Sequence, residues 1–258
     1  MTDKHQYSHI SAILTNPAVL RDASSFFDLY QAPVRRFFQH LCNNASEADD
    51  QFQEFAVKFL SGGFDSYSPD KGRFRDYLKT SLRNQVFRTY RRQPKDEVAF
   101  TDELQAALAD PKDSDPIQRA FQEFDSAEGT QIKMAVDEAM EVEESEGRHQ
   151  FFSLLQFAIQ FQRDRLAEGN GQIQGRAKVP VSAFVDFYHE KFGETITKDT
   201  AKQRVRRAKA HYADLMLSML GVHIGDSSPD ALRMASNEMG LSVYVGKELE
   251  RRLAQDSE

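Results

Sequence analysis

The sequence predicts an all-α protein built of two helical domains joined by a long acidic linker. Three observations carry this. Apolar residues recur at three- and four-residue steps through successive segments of the chain. Two of these segments are strongly basic, although the 258-residue chain has a net charge of −7. Between them lies a stretch, 93–146, with four Lys/Arg and sixteen Asp/Glu, a local charge of −12. The boundaries read as a helical domain over 1–92, a linker over 93–116, a second helical domain over 117–220 and a helical tail over 221–258. A hydrophobic content of 40% supports real cores, and twenty Phe with no Trp make Phe the main core aromatic.

Composition excludes several classes. No apolar run approaches the length of a membrane span, and residues 1–10 lack the apolar stretch of a signal peptide. The lone cysteine, Cys42, excludes an internal disulfide. No Cys/His group has metal-ligand spacing, so neither metal nor cofactor is expected. A cytoplasmic protein follows.

In order, residues 1–20 are a polar lead. A helix then carries Phe26, Phe27, Leu29, Tyr30, Val34, Phe37, Phe38 and Leu41, with a kink or break expected at Pro33. Ser46, with Asp49 three residues on, reads as the cap of a second helix. That helix turns Phe52, Phe55, Ala56, Phe59 and Leu60 inward and Asp50, Gln53, Glu54 and Lys58 outward, and Gly62-Gly63 stops it. A loop rich in Gly, Ser, Pro and Asp follows, with Phe64 and Tyr67 in it.

The stretch Lys71–Arg92 holds eight Lys/Arg and one acid, a local charge of +7. Phe74, Tyr77, Leu78, Ser81, Leu82, Gln85 and Val86 share one helical face. Arg75, Lys79, Arg83, Arg88 and Arg91 are read as the opposite face. Cations interleaved with Tyr, Phe and Asn suit a surface that tracks a nucleic-acid backbone and stacks on bases. The bland alternative is a solvated helix face. The acidic segment is also expected to be able to fold back on this helix and mask it.

Residues 93–116 contain Pro94, Pro111 and Pro116 and read as linker. Helical pattern returns over 117–125, 130–145 and 148–167, the last with Phe151, Phe152, Leu154, Leu155, Ala158, Ile159 and Phe161 inward. A glycine-containing loop spans 168–178. A helix over 181–192 carries Phe184, Val185, Phe187, Tyr188 and Phe192 inward. Gly193 supplies a left-handed turn, and Thr197 caps the next helix. From Lys198 to Tyr212 that helix has six Lys/Arg and one acid, and Ala201, Val205, Ala208, Tyr212, Leu215 and Met219 face inward. Two helices with a short Gly-containing turn, the second basic at its start, form a helix-turn-helix pattern. The alternative is an ordinary antiparallel helix pair. Two short helices, 229–238 and 242–254, complete the tail.

These elements resemble bacterial RNA polymerase sigma factors of the extracytoplasmic-function (ECF) type. F-F-D-L-Y-Q-A-P-V-R-R-F-F from Phe26 is similar to the first helix of sigma region 2. E-A-D-D-Q-F-Q-E-F-A-V-K-F-L is similar to the family's acidic D-A-E-D-L-x-Q-E-x-F helix. G-R-F-R-D-Y-L-K-T-S-L-R-N-Q-V-F-R-T-Y-R-R resembles its basic helix. The resemblance implies that Asp50, Gln53 and Glu54 dock on core polymerase. It implies that Phe64, Tyr67, Lys71, Arg73, Arg75, Lys79, Arg83, Asn84 and Arg88 contact the −10 element, with the 64–72 loop receiving a flipped base. T-K-D-T-A-K-Q-R-V-R-R-A-K-A-H-Y resembles the recognition helix of region 4, which implies −35 contacts by Lys198, Asp199, Thr200, Lys202, Gln203, Arg206 and Arg207. This second match is looser. The usual L-P-x-x-x-R segment is not recognisable, and the scaffold helix is bulkier than the family's. Implied partners are core polymerase, promoter DNA and an anti-sigma factor.

Two other readings compete. A stand-alone helix-turn-helix regulator explains 181–220 but leaves the Asp50/Gln53/Glu54 face without a role. A nuclease would need more than Asp49, Asp50 and Glu54, which have no His beside them and no phosphate cradle.

Overall fold

The computed structural model describes residues 23–68, 74–92, 100–109, 115–168 and 179–255. Among them are ten helices: α1 (Ala23–Leu41), α2 (Ala45–Leu60), α3 (Phe74–Arg92), α4 (Asp102–Ala109), α5 (Asp115–Ser145), α6 (Phe151–Glu168), α7 (Val181–Phe192), α8 (Lys198–Ile224), α9 (Pro229–Glu238) and α10 (Ser242–Gln255). The chain forms two compact units, one of residues 1–133 with 217–258 and one of residues 134–216. None of the described helices is long and apolar enough to cross a membrane.

The first unit is organised by phenylalanine. Phe26, Phe37, Phe38, Phe55, Leu78, Leu82 and Phe124 are fully buried in one cluster. Phe26 stacks on Phe59 at 3.8 Å between ring centroids, and Phe37 on Phe121 at 4.9 Å. Each such side chain contributes roughly 1.5–3 kcal/mol on burial. That is enough for α1 to continue through Pro33 without the break that the missing N–H would favour. The cap of α2 is Asn44, not Ser46: its Oδ1 accepts the Glu47 N–H at 3.0 Å. Gly62 takes the left-handed turn after α2 at φ 78°. Burial pushes the Cys42 thiol up to about 12, so at neutral pH it is a small apolar group rather than a nucleophile.

The expected linker 93–116 needs correction in its middle. Thr101 caps α4 through the Leu104 N–H. Phe100 and Leu104 are fully buried in the Phe cluster, and the Thr101 N–H donates to Leu41 O at 3.0 Å. Two apolar side chains with a core to enter outweigh the acidic composition around them. Residues 93–99 and 110–114 lie outside the described set.

The two helices expected over 117–125 and 130–145 are one, α5, which passes straight through Gly129. This glycine is not a break. A Cβ there would lie 2.1 Å from the carbonyl oxygen of Met239, at the end of α9. Its absence lets the tail pack directly on the α5 backbone, so residues 117–133 and the tail belong to the first unit rather than to the second. The tail helices α9 and α10 stand where their periodicity puts them.

The second unit holds the last turns of α5, α6, α7 and α8 up to residue 216. Leu154, Phe184, Tyr188, Ala201 and Ala208 form its core, and Phe157 stacks on Phe187 at 4.5 Å. Of the residues expected inward on α6, Ile159 is exposed. Gly193 takes φ 67°, and its N–H donates to His189 O. Thr197 Oγ1 accepts the Thr200 N–H at 3.1 Å, the cap the sequence predicts for α8.

Gly129→Ala is expected to cost about 1–3 kcal/mol, because the methyl has no space without moving the α9 backbone. Denaturant unfolding with a fluorescence or circular-dichroism readout checks this, and an unchanged midpoint contradicts the packing described.

Candidate nucleic-acid interface

Helix α3 buries Phe74, Arg75, Leu78, Ser81, Leu82, Gln85, Val86 and Thr89. Its position on α2 is held by amide chemistry: Gln85 Nε2 donates to Gln51 O at 2.8 Å, and Thr89 Oγ1 to Gln51 Oε1 at 3.2 Å. Buried amides must find partners, so this trio fixes which faces of α2 and α3 remain outside.

Arg75 is not part of the outer basic stripe. It is only 3% exposed. Its Nε donates to Glu128 Oε2 at 2.7 Å and its Nη1 to Glu238 Oε2 at 2.9 Å, while Nη2 is paired with Asp125. Burial alone would lower the guanidinium pKa, but Glu128, Asp125 and Glu238 outweigh it and hold it raised. Burial likewise pushes the Glu128 carboxyl up, and His223 and Arg75 outweigh that to hold it below the ordinary glutamate value. His223 Nε2 lies 3.0 Å from Glu128 Oε1. The sequence does contain the signal for this placement, since Arg75 precedes Leu78, Leu82 and Val86 by three, seven and eleven residues and so falls on their face.

Lys79 is also engaged. Its Nζ lies 2.5 Å from Asp125 Oδ1 and 5.5 Å and 5.7 Å from the ring centres of Phe121 and Phe124. Among the described residues, the acidic segment meets the basic helix through Asp125 and Glu128, in contacts at Arg75 and Lys79. Phe64 is buried against Phe55, Phe59 and Tyr77, because the core takes the ring that no helix pattern claims. Tyr67 is half-buried and packs edge-on to Phe74 at 5.1 Å. Lys71 and Arg73 lie outside the described residues.

Arg83, Asn84, Arg91 and Arg92 are exposed, and Phe87 and Arg88 half-buried. Asn84, Phe87, Arg88, Arg91 and Arg92 line one open groove, and Arg83 sits 5.7 Å over the Phe87 ring. Cations around an aromatic floor suit a sugar-phosphate backbone with a base alongside.

On α2, Asp50, Gln53 and Glu54 are exposed. Val57 and Leu60 continue the same face at 63% and 62% exposure. Leu60 was expected inside, and the spacing from Gln53 and Val57 is what turns it out. Glu54 accepts from Arg88 Nη2 at 3.2 Å, so the acidic face borders the basic one. Asp49 is paired with Arg35. With Asp49 and Glu54 each held by an arginine, Asp49, Asp50 and Glu54 do not form a free carboxylate group for nuclease chemistry.

On α8, Lys198, Asp199, Lys202, Gln203, Arg206 and Arg207 are exposed and Thr200 half-buried. Lys202 Nζ lies 3.1 Å from Asp199 Oδ1. Arg204 turns the other way. It lies 4.6 Å over the Tyr188 ring, and its Nη1 donates to Glu194 Oε2 at 2.8 Å and Gln150 Oε1 at 3.3 Å. Sequence reading leaves this role out. Arg204 orients the basic helix on Tyr188 of α7 and on the flanking Gln150 and Glu194, and its signal is its register three residues after the buried Ala201 and four before the buried Ala208.

Residues 26–95 match the family model of sigma-70 region 2. No curated protein and no solved structure matches the chain. The match covers this segment and not the rest of the chain, so what it shows is that residues 26–95 are similar to region 2 of sigma-70 factors.

Arg75→Ala is expected to destabilise the protein by about 3–5 kcal/mol, because Glu128 is left buried without its charge partner. Arg83→Ala is expected to stay within about 0.5 kcal/mol. Parallel denaturant titrations check the contrast, and equal effects would show that Arg75 is not a structural cation.

Proposed function

We propose that the chain is an alternative sigma factor of the ECF type, acting in the cytoplasm. The observation that supports this best is the region 2 match over 26–95. In this reading the α2 face of Asp50, Gln53 and Glu54, extended by Val57 and Leu60, docks on core polymerase. Polar groups give it orientation and the two exposed apolar side chains give it desolvation energy. Arg83, Asn84 and Arg88, with Phe87 and Arg91 beside them, track the −10 strand. Tyr67 belongs to the same contact, and Lys71 and Arg73, outside the described residues, are assigned to it from their place in the sequence. This reading leaves Arg75, Lys79 and Phe64 out of direct readout, because Arg75 and Phe64 are buried and the half-buried Lys79 is paired with Asp125.

The −35 contact is assigned to Lys198, Asp199, Thr200, Lys202, Gln203, Arg206 and Arg207, at the start of α8, where a recognition helix meets base edges. Strand opening needs no covalent step, since binding energy from unpaired bases is sufficient. An anti-sigma partner fits the class. A stand-alone helix-turn-helix regulator is the second reading, favoured by the exposed cations of α8. It requires specific duplex binding without polymerase.

Run-off transcription with sigma-free core polymerase on a genomic library tests the proposal. New starts that share two upstream elements are expected. Asp50→Ala and Gln53→Ala are expected to weaken co-elution with core while leaving stability unchanged. Neither starts nor co-elution would favour the regulator.

Arg83→Ala is expected to weaken promoter binding and to reduce the slope of log affinity against log salt by about 0.7–0.9. Fluorescence anisotropy of the core complex at several salt concentrations measures this. A parallel shift with no change in slope would remove Arg83 from the phosphate contacts.

A further inference from the structure

In the second unit, Glu143 near the end of α5, His149 in the turn before α6 and His211 on α8 bring one carboxylate and two imidazoles together. His149 Nε2 lies 2.9 Å and His211 Nε2 2.5 Å from the same oxygen, Glu143 Oε2. The Glu143 side chain is only 6% exposed, whereas that of His211 is 32% exposed. From this geometry we propose that Glu143, His149 and His211 form a binding site for a divalent transition metal of the zinc class.

The donor set selects the ion. Two imidazole nitrogens and a carboxylate suit zinc and its neighbours rather than magnesium or calcium, which prefer oxygen donors throughout. Three protein ligands leave one position of a tetrahedron, and the exposed edge of His211 supplies the entry path for the ion and for a water there. Metal–ligand distances of about 2.0–2.2 Å place tetrahedral ligands roughly 3.3 Å apart. The two imidazoles therefore move out by about 0.4–0.8 Å from Oε2 to admit the ion, a small rotation for partly exposed rings.

The surroundings favour this role. Arg148 Nη1 lies 3.7 Å from the other carboxylate oxygen, Glu143 Oε1, a charge contact beyond hydrogen-bond range. The His149 ring stacks on Phe151 at 4.3 Å, which fixes its plane. Coordination through Nε2 puts the ring proton on His149 Nδ1, so the long 3.4 Å contact from the Phe151 N–H is given up. The ligands are separated by six and by sixty-two residues, a spacing with no short motif, so the sequence gives no sign of them. Bound metal would tie the end of α5 and the α5–α6 turn to α8. The site does not depend on the sigma-factor reading.

The test titrates zinc alone into the full, chelator-stripped chain by calorimetry, with cobalt absorption as a second readout. One equivalent is expected to bind, with tetrahedral cobalt bands and a raised thermal midpoint. Glu143→Gln, His149→Ala and His211→Ala are each expected to weaken binding at least tenfold, while His5→Ala, His9→Ala and His189→Ala leave it unchanged. The wild-type titration stands even where a ligand variant folds poorly. No binding by the wild-type chain, or binding that survives all three ligand substitutions, overturns the proposal.

Discussion

A buried guanidinium has to be matched by carboxylates, and much of the first unit follows from meeting that requirement at Arg75. The helix that carries Arg75 supplies none of its partners. Asp125 and Glu128 come from α5 and Glu238 from α9, fifty or more positions along the chain. The region 2 match ends at residue 95, yet the unit it belongs to does not end there. Removing Arg75 would leave the Glu128 carboxylate in a low-dielectric interior without the guanidinium that offsets its desolvation. The close approach at Gly129 brings α9 near enough for Glu238 to reach.

The same requirement divides the basic residues into two populations. Arg75 and Lys79 on α3, and Arg204 on α8, are held by carboxylates and aromatic rings of their own unit. Arg83, Arg91 and Arg92, and Lys198, Arg206 and Arg207, are exposed. The buried pair of Arg75 and Glu128 is worth several kcal/mol to break, the partly exposed pair of Arg204 and Glu194 less, and an exposed cation contributes little to stability. The first population therefore sets the positions of the helices. The second is available to a polyanion. Net charge along the sequence does not separate them, because both kinds lie within the same short stretches.

The acidic segment illustrates the point from the other side. Its composition favours a solvated linker, and its charge is opposite to that of α3. The structure turns part of the expected linker into α4 and joins the two helices expected after it into α5, with Phe100, Leu104, Ile117, Ala120 and Phe124 entering the phenylalanine core. Among its described residues, Asp102, Glu103, Glu123, Glu138, Glu141 and Glu146 are exposed, and Asp125 and Glu128 meet α3 at Arg75 and Lys79. Composition averaged over fifty residues hides the few apolar positions that decide the fold.

The sequence by itself determined the all-α class, the position of nearly every helix, the Thr197 cap, the Gly62 and Gly193 turns and the two tail helices. These follow from periodicity and from local backbone chemistry, which act within a few residues. It also determined which segment resembles sigma region 2. Only the tertiary structure decided that neither Pro33 nor Gly129 ends its helix, that Asn44 caps α2, that Phe64 and Arg75 are inside, that Leu60 and Ile159 are outside, and that Glu143, His149 and His211 meet. Each of these depends on what a second, distant segment offers at that point: a core to fill, a carboxylate to pair or a backbone to approach. A helical pattern records only that a face is apolar on average, and it does not record what stands opposite that face.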